Sequence, residues 1–259
     1  MAIRKCVVAV PARLQSSRLP NKVLADIGGK SMIQRVLERC RQSRSVEAVV
    51  LCTDSAELKT QAEGWGFPVL MTAESCSSGS ERIASVASSL MALAWGDANP
   101  VAEDTAVINV QGDQPFIDPA VIDDMVEEFR RQDPAPAVVT PVYGLKPESV
   151  HNPNVVKTLL AHDGRALYFS RSAIPHVRDV SEVDWHQHTT YWGHVGMYGF
   201  RGDVLAAWDQ LPASPLEDLE RLEQLRLIEA GLTIATFPVQ GTSLSVDTAE
   251  QLEQARAMV

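Results

Sequence analysis

The sequence predicts an α/β protein built on a parallel, doubly wound sheet. Short β-branched runs alternate with segments of helical apolar spacing through the first half. That alternation is the signature of successive βαβ units. The chain is 45% apolar over 259 residues, enough for the core of one large α/β domain.

The elements follow in order. Residues 3–10 read as a buried strand centred on Val7, Val8 and Val10. Residues 31–42 read as a helix, with Ser31 and Gln34 spaced as a capping box. Met32, Ile33, Val36, Leu37 and Cys40 supply its apolar face. Residues 48–53 form a second strand ending at Asp54, and residues 56–64 a helix closed by glycine. A short strand at 67–71, a helix at 81–95, a buried strand at 105–110 and a helix at 119–132 complete the first half.

The second half changes character. Strands are expected at 137–143, 155–160 and 166–170, with a polar loop over 176–191. The apolar run HVGMYGF, 194–200, reads as one further strand. Residues 214–229 read as one strong helix, with Ser214 as N-cap, Pro215 at N1 and Glu217 completing a capping box. Leu216, Leu219, Leu222 and Leu225 form its expected buried stripe. A strand at 233–237 and a helix at 248–258 end the chain. No repeat or long linker interrupts it. The expectation is a single domain, 1–259, with an antiparallel β excursion over about 137–200.

Composition narrows the function. The net charge is -10, which disfavours nucleic acid as a partner. The four cysteines, Cys6, Cys40, Cys52 and Cys76, show no metal-ligand spacing. The first strand starts within a few residues of Met1, so no signal peptide is expected. No apolar stretch approaches the roughly 20 residues that span a bilayer. A soluble protein in a reducing cytoplasm is the expectation.

One loop stands against the acidic background. PARLQSSRLPNK, 11–22, leaves the first strand and carries Arg13, Arg18 and Lys22. Loops at the carboxyl ends of strands are where open α/β sheets bind ligands. Arg forks and a Lys point charge suit a polyphosphate. A solvated basic loop is the plain alternative. Asp113 follows the strand at 105–110 in NVQGDQP and is placed to bind a divalent metal, or to serve as a turn residue. Asp247 in SVDTAEQL is a second metal candidate or a helix cap, since Thr248 and Gln251 resemble a capping box. Two aspartates beside a basic loop are what Mg²⁺-dependent nucleotide chemistry uses.

Other candidates have simpler alternatives. SSGSER, 77–82, offers main-chain groups to a base edge or merely caps a helix. Glu217, Glu220 and Gln224 share one face of the expected helix, fit for sugar hydroxyls or for solvent. His194, Gly196 and Tyr198 fall on one side of the expected strand, as ligand contacts or a surface pair. His186 and His188 form an H-x-H without a third ligand at sensible spacing.

These segments resemble the CMP-Kdo synthetases, where Kdo is 3-deoxy-D-manno-octulosonate. The matching stretches are PARLQSSRLPNKVLADIGGKSMIQRVLE, SSGSERI, NVQGDQP, NPNVVK, ALYFSRSAIP, HVGMYGF, SPLEDLERLEQLR and SVDTAEQL, in family order from 11 to 252. The resemblance implies a Rossmann-like nucleotidyltransferase sheet with a smaller inserted β region that makes a homodimer. It implies transfer from CTP to Kdo with release of pyrophosphate, for lipopolysaccharide biosynthesis. The expectation that follows is direct transfer, in which the sugar's anomeric hydroxyl attacks the α-phosphorus without a covalent enzyme intermediate.

By the same resemblance Arg13 and Lys22 contact the triphosphate, and Ser77, Ser78, Gly79 and Arg82 help hold the nucleotide. Asp113 and Asp247 match Mg²⁺ ligands. Gln111, Arg82, His194, Tyr198, Glu217, Glu220 and Gln224 match positions that line the sugar pocket. The alternatives are CMP activation of a related acidic sugar, such as 8-amino-Kdo or a nonulosonate, and a nucleotide-binding regulator without turnover. The chain departs from the family pattern at Asn21 and Ser245, where glycine is usual, at Ser80, where threonine is usual, and at Gln114, where an acid is usual. Gln114 is expected to tune sugar preference or metal affinity.

Overall fold

Lys5–Ala12 forms β1, whose side chains are buried from Cys6 onward. A computed structural model describes residues 2–16, 19–241 and 244–259. Ser17 and Arg18 of the basic loop lie outside the described residues. The described chain divides into two compact units, one of residues to 135, 197–209 and from 244, the other of residues 136–196 and 210–241.

The first unit holds a sheet of β4 (Ala48–Thr53), β5 (Val69–Met71), β6 (Thr105–Asn109) and β11 (Tyr198–Arg201) around β1, in the order β5-β4-β1-β6-β11. β1 runs parallel to both β4 and β6, with Val8 opposite Val49 and Ile108. β11 lies antiparallel on β6. Because β1, β4, β5 and β6 run the same way, the loops after Ala12, Thr53, Met71 and Asn109 all leave one edge. That edge is where a doubly wound sheet offers its binding crevice.

Local chemistry sets the helices here. α1 (Met32–Cys40) buries Met32, Ile33, Val36, Leu37 and Cys40, the face expected from sequence. Ser31 Oγ accepts from Gln34 N at 3.4 Å, but the Gln34 amide turns to Glu38, so only half of the capping box forms. α2 (Ala56–Gly64) is capped by Ser55 and α5 (Pro119–Arg131) by Asp118. A small hairpin of β2 (Asp26–Ile27) and β3 (Lys30–Ser31), unforeseen in the sequence, turns through Gly28 and Gly29. Both sit at positive φ, 59° and 80°, as a two-residue hairpin turn requires.

The helix expected over 81–95 is two helices, α3 (Gly79–Ala84) and α4 (Ala87–Trp95). Ser85 Oγ donates to Arg82 O at 2.7 Å, a local bond that competes with the helical ladder, and Val86 leaves helical geometry at φ -121°. α6 (Gly202–Ala206) also belongs to this unit. At the end of the chain Thr248 and Gln251 form the expected full capping box on α9 (Ala249–Arg256). Leu252 and Ala255 of α9 pack with Val246, Ile27 and Met32 in one apolar cluster.

The second unit carries β7 (Val138–Gly144), β8 (Lys157–Leu160), β9 (Ala166–Ser170), β10 (Trp192–His194) and β12 (Ile234–Pro238), in the order β12-β7-β10-β8-β9. β12 and β7 are parallel, while the β7-β10, β10-β8 and β8-β9 pairs are antiparallel. The 176–191 stretch, expected as a plain loop, contains a 3₁₀ turn, Glu182–Gln187, that buries Trp185 with Val150 and Tyr191.

Two expectations fail in the second half. HVGMYGF is not one strand: β10 ends at His194 and β11 begins at Tyr198. The second unit ends at Gly196 and the first resumes at Met197, so period two does not relate His194 to Tyr198. The 214–229 helix is likewise two, α7 (Pro215–Glu220) and α8 (Gln224–Glu229). Arg221 takes left-handed geometry at φ 53° and stops the first. Arg226 Nε then bonds Glu217 Oε2 at 2.7 Å, and Glu229 joins Ser214, folding one helix against the other. Glu217 and Glu220 stay three residues apart on α7, but Gln224 opens α8, so the three do not share one helical face. Leu219 of the expected buried stripe is 80% exposed.

Candidate active site

A cleft of about 310 Å³ opens in the first unit at the carboxyl edge of its parallel strands. Its walls bring together Arg13, Lys22, Ser77, Ser78, Gly79, Arg82, Gln111, Asp113 and Asp247 from four separated stretches. Arg13 and Lys22 arrive from the loop after β1, Gln111 and Asp113 from the turn after β6. Asn21, in place of the family's usual glycine, takes φ 52° just before Lys22. Asparagine tolerates this left-handed geometry better than most residues.

Lys22 holds the centre. Its Nζ donates to Asp113 Oδ2 at 2.8 Å and to Asp247 Oδ1 at 2.9 Å. Burial disfavours the Lys22 ammonium, but the two carboxylates outweigh it and hold its pKa above the usual lysine value. Asp247 is therefore more than a turn before a helix. Thr248 is the cap, while the Asp247 main chain donates to Gln251 Oε1 and its carboxylate stays with Lys22.

The SSGSER segment is a helix start whose residues also line the cleft. Ser78 Oγ accepts from Glu81 N, and the Glu81 carboxylate returns to Ser77 N at 2.7 Å. A Cβ on Gly79 would meet Gln111 Oε1 and Pro11 Cγ at 3.2 Å each, so glycine lets these walls close on one another. Gln111 Nε2 donates to Asn109 Oδ1, and Asn109 Nδ2 donates to Ser80 Oγ. Arg82 is 2% exposed, and its guanidinium is engaged by Asp54 at 2.9 Å and by Thr72. Its charge serves the wall of the cleft. Asp54 and Asn109 escape sequence reasoning as site residues; their only signal is position, at the end of a strand expected to reach the ligand edge.

Tyr198, on β11 of the first unit, is buried and stacks on Phe200 with centroids 5.8 Å apart. His194, Glu217, Glu220 and Gln224 belong to the second unit. His194 Nε2 meets Thr140 Oγ1 at 2.9 Å, its ring lies edge-on to Phe169, and burial pushes its pKa down to about 3. Glu220 accepts from Ser170 Oγ at 2.6 Å and Arg171 N at 2.8 Å. Gln224 is buried. All four cysteines are free and buried, and burial pushes the thiols of Cys6, Cys40 and Cys52 up to about 12. Among the described residues no helix is long and apolar enough to cross a membrane.

Comparison with known proteins converges on one family. A profile described as cytidylyltransferase matches residues 7–234. The 3-deoxy-manno-octulosonate cytidylyltransferase of Chloroherpeton thalassium is 39% identical over 257 residues, covering 98% of each chain. The protein of the same name from Chlorobaculum tepidum is 40% identical, over 97% of this chain and 96% of its own. A solved structure of CMP:2-keto-3-deoxy-manno-octonic acid synthetase complexed with CTP superimposes with a TM-score of 0.88 at 38% identity, over 98% of both chains. The fold is thus that of a nucleotidyltransferase, and the chain belongs to the 3-deoxy-manno-octulosonate cytidylyltransferase family.

Proposed function

We propose that this protein transfers the cytidylyl group of CTP to the anomeric hydroxyl of Kdo. The observation that carries this reading is the gathering of Arg13, Lys22, Asp113 and Asp247 in one cleft at the ligand edge of the sheet. The sugar oxygen bonds to the α-phosphorus as the bond to the departing pyrophosphate breaks. The planar Arg13 guanidinium and the Lys22 ammonium take up charge on the phosphate oxygens. Ser77, Ser78 and Gly79 support the base, while Gln111, held by Asn109, faces the same cleft. Arg82 braces this wall through Asp54. Tyr198, His194, Glu217, Glu220 and Gln224 are proposed for the sugar.

Asp113 and Asp247 fit a divalent cation. Their oxygens are hard donors, and both already converge on a cation, the Lys22 ammonium. Two carboxylates that leave room for phosphate oxygens and water suit Mg²⁺. When bound, Mg²⁺ supplies Lewis-acid stabilisation of charge on the phosphates.

Pyrophosphate release tests the reading, with CTP, UTP, ATP and GTP each supplied with Kdo. Release with CTP is expected, and equal rates with a purine nucleotide would remove the cytosine assignment. Turnover confined to 8-amino-Kdo or a nonulosonate would reassign the sugar, and no turnover with any of them would leave a nucleotide-binding regulator. We further propose lipopolysaccharide synthesis as the destination of the product, the cytoplasm as the location and a homodimer as the assembly. The second unit exposes Leu167, Val183 and Leu219 at 45%, 73% and 80%, apolar surface that a partner would cover. Light scattering that returned the mass of a single chain would contradict the dimer.

A further inference from the structure

We infer that Lys22 is a specificity-determining residue that makes the site accept a metal–triphosphate complex and reject the free metal. The inference rests on the nucleotide and metal assignments proposed above. Its basis is that one ammonium holds both candidate metal ligands, at 2.8 Å to Asp113 and 2.9 Å to Asp247.

The two carboxylates are brought together by the main chain. Val246 N donates to Asp113 O at 2.9 Å, and Val246 itself is buried in the cluster formed with α9 and the β2-β3 hairpin. The main-chain tie keeps the two residues adjacent, and a cation held between their carboxylates offsets the repulsion of like charges. Lys22 supplies it from within the chain. A dication shared by Asp113 Oδ2 and Asp247 Oδ1 would compete with Lys22 Nζ for the same two oxygens.

The cost of that exchange depends on what arrives. Free Mg²⁺ would have to shed water and displace two charge-assisted bonds. It would also strand an ammonium whose side chain is only 13% exposed, beside a cation of the same sign. Two carboxylates and one ammonium leave the site with a single negative charge, and a bare dication reverses it. A triphosphate removes both penalties. Its oxygens accept the displaced ammonium within the same cleft, whose wall already includes Lys22 and Arg13, and its negative charge offsets the positive charge of the arriving dication. Lys22 can swing because it opens a single 3₁₀ turn, Lys22–Leu24, and reaches the aspartates only through its flexible stem.

Metal binding without nucleotide tests this directly. Mn²⁺ is titrated into the full chain and free Mn²⁺ is followed by its paramagnetic resonance signal, for wild type, Lys22→Met and Lys22→Gln. Wild type should bind free Mn²⁺ only in the millimolar range, and either variant should bind it at least about tenfold more tightly. Adding Asp113→Asn to Lys22→Met should abolish the gain. CTP should raise the Mn²⁺ affinity of wild type far more than that of Lys22→Met. Submillimolar binding by nucleotide-free wild type overturns the inference whether or not the variants fold, and so does unchanged binding in folded variants. Pyrophosphate release by wild type, run in parallel, separates the two claims. Turnover with no gain in the variants overturns only the role of Lys22, whereas a gain without turnover supports that role and overturns the proposed reaction.

Discussion

Val246 N donates to the Asp113 main-chain oxygen at 2.9 Å, and this bond ties the turn after β6 to the segment before α9. It places Asp247 beside Asp113, where neither helix capping nor turn geometry alone would put it. The side chains then meet at Lys22.

Asp113→Asn and Asp247→Asn should each lower turnover by ~10²-fold or more, since each removes charge from the site that stabilises the reacting phosphates. The fold should survive, because the main-chain bonds of both residues remain. Pyrophosphate release and circular dichroism check the two halves of this prediction. A variant with near-normal turnover would restore its aspartate to a turn or cap role.

Glu220→Ala should destabilise the protein by about 1–3 kcal/mol, since it strips acceptors from Ser170 Oγ and Arg171 N. Leu219→Ala, at an 80% exposed neighbour, should change stability by no more than ~0.5 kcal/mol. Urea unfolding of the two variants compares them. Equal effects would mean that Glu220 does not anchor β9 to α7.

His194 predicts a pH dependence. Its folded pKa of about 3 lies below the ordinary value of 6.5, so the unfolded chain binds the proton more readily. The stability is complete above 6.5 and drains away as pH falls from there towards 3. The residue keeps part of its surface exposed, which discounts the effect to about 1 kcal/mol between pH 7 and 5.5. His194→Gln, which can still meet Thr140, should lose that much less stability over the same interval. Parallel guanidinium melts at the two pH values decide it, and identical losses in both proteins would refute the assignment.

Gln114→Glu should act on stability as well as on metal dependence. The Gln114 side chain is buried at 7% exposure, and its Oε1 has no hydrogen-bond partner among the described residues. A carboxylate there adds a buried charge next to Asp113, at a cost of about 3–5 kcal/mol if nothing compensates it. Denaturant melts and a Mg²⁺ titration of turnover measure the two consequences. A variant as stable as wild type with an unchanged Mg²⁺ profile would make this departure from the family pattern silent.

What the sequence determined by itself is local. The strand Ala48–Thr53 and the helix Ala56–Gly64 fall where periodicity and the closing glycine place them, and Thr248 with Gln251 caps the last helix as their spacing dictates. The ordered motifs also sufficed to name the family. Tertiary structure decided the rest, because it depends on contacts that a local window does not contain. Arg221 breaks the 214–229 helix, for which periodicity alone favours continuity, and Arg226 and Glu229 turn back onto residues that precede the break. The chain leaves β10 after His194 and pairs again only from Tyr198, against a different strand. Asp113 and Asp247 are in sequence two metal candidates, each with a plain alternative as turn residue or helix cap. They become a charged pair around Lys22 because parallel strands send their loops to one edge and α9 packs its apolar face against the β2-β3 hairpin.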